Sequence, residues 1–238
     1  MAIRKMMKLS SFTGFPEEMI RFFLALRLHN DHVFFMAHEA EYKQYVKAPL
    51  YAFIDAIAPA MLSIANDIEV RPAKCLARIR RDTRFTKDKS PYRDHMWLLF
   101  RRSGEPREAS VMYWFEISPE AVEWGLGFWG DNRPALDALR RRIVHQPGAV
   151  SGVLDGCRLP SADLALYGES YKRMQVPAAI PEELQPYYSR KSLYIKRSGV
   201  PLSRAYQPDI LDLASADMIR LKPMYELLRA CADEGMSE

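Results

Sequence analysis

Apolar residues recur at helical spacing from the first third of the chain: Met19, Ile20, Phe22, Phe23 and Leu26 share one side of a helix that begins after Pro16. Proline suits that start, and Glu17-Glu18 suit the positive end of the helix dipole. Asn30-Asp31 interrupts the pattern. Asp31 is placed to cap a second helix, running to about Lys47, that carries Val33, Phe34, Tyr42, Tyr45 and Val46. Pro49 opens a third, Leu50 to about Asn66, with a kink expected at Pro59. The pattern then turns extended, over Lys74 to Phe85, His95 to Arg101, Ala109 to Ile117 and Val122 to Phe128. The links Ser103-Gly104-Glu105-Pro106 and Ser118-Pro119-Glu120 are short, and short links imply antiparallel neighbours. Gly125 and Gly127 remove side chains beside Trp124, Phe128 and Trp129, as happens where a ligand or another backbone comes close.

Asp131-Asn132-Arg133-Pro134 signals another helix, with Leu136, Leu139, Ile143 and Val144 opposite Arg140, Arg141 and Arg142 on a solvated surface. After Gln146-Pro147-Gly148 the pattern weakens, and Leu166 to Met174 and Leu193 to Lys196 read as short strands. Leu211 to Cys231 closes the chain as a helix or a helix pair broken at Pro223. The prediction is one α+β domain over residues 1–238. A helical part (10–70) precedes a central, mainly antiparallel sheet (71–130), and helices with short strands (131–238) pack on it.

Composition fits an ordinary globular protein: 238 residues, 48% hydrophobic and 27% charged. Arg4, Lys5 and Lys8 are not followed by an apolar stretch of signal-peptide length, and no run approaches the ~18 apolar residues of a membrane span, so no membrane partner is expected. Cys75, Cys157 and Cys231 are odd in number and lack Cys-x-x-Cys spacing. They argue against a disulfide framework and a structural zinc, and point to a reducing cytoplasm. His29, His32 and His38 have no metal-ligand pattern, so no metal is expected. Gly-rich phosphate loops and the Ser-x-x-Lys and Gly-x-Ser-x-Gly nucleophile motifs are missing, and no cofactor is expected.

Charge changes this plain picture at one place. Arg78 to Arg93 holds seven basic and two acidic residues, a local charge of +5 in a chain of formal net charge +4. At period two, Arg78, Arg80, Asp82 and Arg84 face one way and Ile79, Thr83 and Phe85 the other. Arg81 falls on the apolar side, which suggests a bulge that re-aims it. A desolvated guanidinium there needs a partner: Asp82 if the strand bulges, otherwise a distant acid or a ligand.

The run Arg-Ile-x-Arg-Asp-x-Arg-Phe-x-x-Asp-Lys-x-Pro-Tyr, Arg78 to Tyr92, resembles the signature of an uncharacterised bacterial and fungal family, domain of unknown function 2461. The resemblance takes in Phe12-Thr13-Gly14-Phe15, the junction around Asn30, Gly125-x-Gly127-x-Trp129, Tyr171-Lys172-Arg173 and Arg190-Lys191-Ser192. Where the family has an Asn-rich turn followed by Trp-Phe and a lysine, this chain has His29-Asn30-Asp31, Phe34-Phe35 and Glu39. The resemblance implies positions, not an activity.

Two readings of the basic segment stay open. In the first, Arg78, Arg81, Arg84 and Lys89 cradle a phosphate or carboxylate, joined by Lys191 from a second basic stretch, Tyr187 to Arg197. Asp82 would orient the arginines, and Tyr92 or His95 would move a proton. The partner is then a small anionic ligand, and the protein an enzyme. In the second, Asp82 and Asp88 pair internally with the arginines and the chain is an interaction protein. A nucleic-acid-binding module, with tyrosines stacking bases and cations on phosphates, is the further alternative. Composition does not fix an oligomeric state.

Overall fold

Five antiparallel strands organise the molecule: β1 (Met96–Arg101), β2 (Val111–Ile117), β3 (Val122–Phe128), β4 (Leu164–Tyr167) and β5 (Tyr194–Val200), in the spatial order β1-β2-β3-β5-β4. The computed structural model describes residues 12–236 apart from Phe85, Ala109 and Ala162. The architecture is α+β, with helices before the sheet, between β3 and β4, and after β5.

Alternation along the strands sends Met96, Leu98 and Phe100, then Tyr113, Phe115 and Ile117, then Val122, Trp124 and Leu126, to one buried face. Helices cover it. α1 (Glu17–Leu28) buries the five residues its spacing singles out. α2 (His32–Ala37) is capped as expected by Asp31, whose side chain accepts the Phe34 N–H at 2.8 Å. It stops ten residues earlier than the pattern suggests, because His38 leaves helical geometry. The next helix, α3 (Glu39–Ile64), runs through Pro49 without a break. A π-helical stretch, Tyr42–Lys47, widens the ladder just before that proline, which has no N–H to return.

α3 corrects one expectation: at 26 residues, with a window of mean hydropathy 1.2, it is long and apolar enough to cross a membrane. Its apolar side is spent on the core. Leu50, Phe53, Ile54, Ile57, Met61 and Ile64 are buried, and the Phe53 ring lies 4.5 Å from that of Phe115 on β2. α4 (Pro72–Cys75) is a single turn started by its proline. α5 (Arg133–His145) opens with Asn132 accepting the Ala135 N–H at 3.3 Å, at the place the sequence marks. Its arginines are engaged rather than solvated: Arg140 donates to the carbonyls of Tyr188 and Arg190, and Arg141 and Arg142 bind Glu234.

The closing pair, Ile210–Arg220 and Lys222–Gly235, breaks beside Pro223 as predicted and packs on β2 and β3. Tyr225 stacks on Tyr113 at 5.4 Å. Buried Asp217 accepts from the Trp124 indole at 3.0 Å and from Arg197 at 3.1 Å. Each large side chain fully buried on this face contributes about 1.5 to 3 kcal/mol.

The extended segment expected from Lys74 to Phe85 is not a strand of the sheet. It carries isolated bridges only, Leu76 to Leu98 and Arg80 to Tyr92. Arg81 N–H donates to Pro91 O and Arg93 N–H to Ile79 O, both at 2.9 Å, and the ladder ends there. Beyond it the side chains of Asp82 and Asp88 take the N–H groups of Arg84 and Ser90, turning the backbone into a loop. Arg81 keeps the alternation with buried Ile79 and needs no bulge. Phe85 lies outside the described residues. Similarly, Leu166 to Met174 shortens to β4, because residues beyond Tyr167 leave the ladder with β5.

Candidate functional site

Asn30 ties the basic segment to the α1–α2 junction: its amide accepts the Tyr92 N–H at 3.0 Å and donates to the Tyr92 carbonyl at 2.9 Å. Tyr92 itself is buried, stacked 4.2 Å from Phe35, with its hydroxyl 3.1 Å from His32 Nδ1. Around it the proposed cradle is occupied by its own acids. Arg81 pairs with Asp88, and Arg84 binds Asp82 through Nε at 2.9 Å and Nη2 at 2.7 Å. These arginines hold both carboxyls down at about 2, with Ser90 contributing most at Asp88. Lys89 Nζ donates to Thr83 O at 2.8 Å, and Arg78 is exposed. Lys191 is held by other acids, between Asp131 at 3.0 Å and Glu169 at 3.3 Å.

Arg93 differs from its neighbours. Half-buried, it donates to the carbonyls of Arg78 and Arg80, and its guanidinium sits 5.5 Å over the Trp97 ring. Among the described residues no carboxylate pairs with it. Burial lowers its pKa, and the charges of Arg81 and Arg107 lower it further.

Trp97 leads to the uncovered face of the sheet, where register aligns three cross-strand rows. The first runs Trp97, Glu116, Glu123; the second Leu99, Trp114, Gly125, Lys196, Ala165; the third Arg101, Met112, Gly127, Tyr194, Tyr167. The two glycines fall in the middle of the second and third rows. They let β5 close on β3, since a Cβ at Gly127 would lie 2.5 Å from Leu193 O and 2.6 Å from Tyr194 Cα, and one at Gly125 would strike the Ile195 carbonyl. Of the two causes the sequence allows for these glycines, the close approach here is to a backbone.

The same face carries a trough, floored in part by the Gly127 backbone. Trp114 and Tyr194 meet edge-to-face at 6.5 Å above β3, and Trp97 meets Trp129 edge-on at 5.6 Å at one end. The cavity measures about 440 Å³. Arg107 covers Trp129 at 4.2 Å, so Arg93 and Arg107 sit at the same end.

Glu116 projects into this trough between Trp97 and Glu123. Burial raises its pKa, against the lowering effect of a hydrogen bond from the Trp97 indole. Glu123, directly opposite, has a partner in Lys196 at 2.9 Å. Of the site residues expected from sequence, His95 borders the trough: its ring is 5.0 Å from that of Trp97, and its Nδ1 lies 3.0 Å from Asp94. Among the described residues no three His, Cys, Asp or Glu side chains converge as metal ligands, and the trough offers two carboxylates.

Sequence reasoning passed over Glu116, Trp97, Trp114 and Arg93. A signal for the first three existed. On strands with one buried face, the alternate positions are normally polar; here they carry two tryptophans and a carboxylate pair, beside glycines that were noticed.

No curated protein and no solved structure matches the chain. A family model described as a conserved hypothetical protein matches residues 18–227, which span the sheet, the helices before and within it, and the closing pair as far as the first part of its second helix. The chain therefore belongs to the conserved hypothetical protein family DUF2461.

Proposed function

We propose that the trough is the ligand site of a cytoplasmic enzyme acting on a small phosphorylated or carboxylated substrate, with Glu116 moving the proton. The observation that carries this reading is the cavity of about 440 Å³ on the open face, where Trp97, Trp114, Trp129 and Tyr194 surround the Glu116 carboxyl group. A concave, mostly apolar site with a few converging polar groups is the usual form of a small-molecule pocket. A carboxyl biased toward its neutral form by burial is suited to giving and taking a proton near neutrality. Arg93, without a carboxylate partner, supplies the anion contact that the internally paired Arg81 and Arg84 do not. His95, oriented by Asp94, stands next to Glu116 as a second proton carrier. Three free, buried thiols suit a reducing compartment.

A nucleic-acid module would need unpaired cations gathered on one surface. Here Lys191, Lys196, Arg197 and Arg84 are held by acids.

Thermal protection by small anions tests the proposal. Inorganic phosphate, glycerol 3-phosphate, phenyl phosphate and citrate are titrated against wild type, Arg93→Met and Glu116→Gln. At least one should raise the melting temperature of wild type and of Glu116→Gln, and not of Arg93→Met. Protection by none of them, or equal protection of Arg93→Met, would overturn it.

A further inference from the structure

The trough is built for more than an anion. We infer that its substrate is a flat aromatic ring carrying one anionic group, the ring lying in the trough against Trp97 and Trp114 and the anion on Arg93 and Arg107. This deepens the reading above and rests on it.

The aromatic half of the inference comes from the walls. Three indoles and two phenols, Trp97, Trp114, Trp129, Tyr167 and Tyr194, occupy or border one uncovered sheet face. A sheet face left to water has no use for this concentration of π surface. Trp97 and Trp114 are only half-buried, and both line the cavity. Aromatic rings accept partners stacked or edge-on at centroid distances of about 4.5 to 7 Å. The floor supplies polar atoms for a ring edge: the Glu116 carboxyl, a donor when protonated and an acceptor when not, and the Glu123–Lys196 pair.

The anionic half comes from one end. Arg93 lies over Trp97 and Arg107 over Trp129, and these two indoles touch. Arg107 has only a solvent-exposed contact with its chain neighbour Glu108 at 3.6 Å, and Asp88 and Asp94 are engaged by Arg81 and by Arg27 and His95. The guanidinium groups of Arg81 and Arg107 both lie close enough to Arg93 to act on its charge. From Trp97 on β1 to Trp114 on β2 is one strand spacing across and two residues along, roughly 8 Å. A ring in the trough thus reaches the arginines through a linker of a few atoms. The cavity of about 440 Å³ falls within the range of small-ligand sites.

Calorimetry with the full chain separates the two halves. Phenyl phosphate is compared with glycerol 3-phosphate and benzyl alcohol, on wild type, Trp114→Leu and Arg93→Met; Tyr194→Leu replaces Trp114→Leu if the latter does not fold. Phenyl phosphate should bind wild type at least tenfold more tightly than glycerol 3-phosphate. Trp114→Leu should remove that preference while leaving glycerol 3-phosphate binding unchanged, and Arg93→Met should weaken both phosphates at least tenfold. Equal binding of the two phosphates by wild type, or a preference that survives Trp114→Leu, overturns the aromatic inference and leaves the anion site standing. If neither phosphate binds wild type, the proposed function itself fails.

Discussion

The two faces of the sheet are made by the same strands and differ by one residue of register. On the covered face, Phe115, Trp124 and Tyr113 are sealed under helices, and Trp124 even has a buried acceptor in Asp217. On the other, Trp97, Trp114 and Tyr194 stand half-exposed around the trough, and the carboxyl among them is hydrogen-bonded by the Trp97 indole. Aromatic residues stabilise the first face and furnish the second. Hydrophobicity alone therefore does not separate core from site; what lies across from each ring does.

Substitutions should respect this division. Trp124→Ala deletes a buried indole and strands Asp217 and Arg197, so it should cost about 3 to 5 kcal/mol in denaturant unfolding. Gly127→Ala comes next. Its methyl meets β5, and re-spacing the ladder should cost about 1 to 3 kcal/mol while narrowing the trough, which ligand titration will register as lost binding. Trp114→Ala, on the open face, should cost no more than about 1 kcal/mol, the scale of a cross-strand pair, yet abolish the aromatic preference. A Trp114→Ala variant as unstable as Trp124→Ala would mean that both faces are core.

Glu116→Gln has a sign rather than a size. The folded-state pKa of Glu116 is raised, so its contribution to stability is complete below the unfolded pKa and is lost as pH rises through the folded one. At neutral pH wild type bears the cost of an ionised, partly buried carboxylate, and the glutamine does not. Glu116→Gln should gain on wild type as pH is raised from 4 to 7, measured by thermal unfolding at each pH; a constant difference would remove burial as the cause.

The smallest effect is expected at Arg81. Removing half of a buried ion pair costs about 3 to 5 kcal/mol, but its partner Asp88 is open to solvent, so Arg81→Met should unfold close to wild type.

Fold class was legible because local rules agreed. Asp31, Asn132 and Pro223 mark helix ends, and period-two runs located β2 and β3 nearly to the residue. The basic segment misled for a physical reason: Asp82 and Asp88 bond to the backbone two residues on, which turns an extended pattern into a loop, and a side chain's partners are invisible in a count of charges. The trough was hidden differently. Its rows join residues from β1, β2, β3 and β5, which register alone brings side by side, and Glu116 and Arg93 are far apart in any reading of the chain in order.

The four tryptophans provide the most direct measurement of whether the open face is the site. Their indole N–H signals can be followed by ¹H–¹⁵N NMR while phenyl phosphate is added. The expected result is that Trp97, Trp114 and Trp129 shift along a common saturation curve while Trp124, sealed against Asp217 on the opposite face, stays still. Saturable binding that leaves Trp97, Trp114 and Trp129 unmoved, or that moves Trp124 alone, would contradict the assignment of the site to the open face.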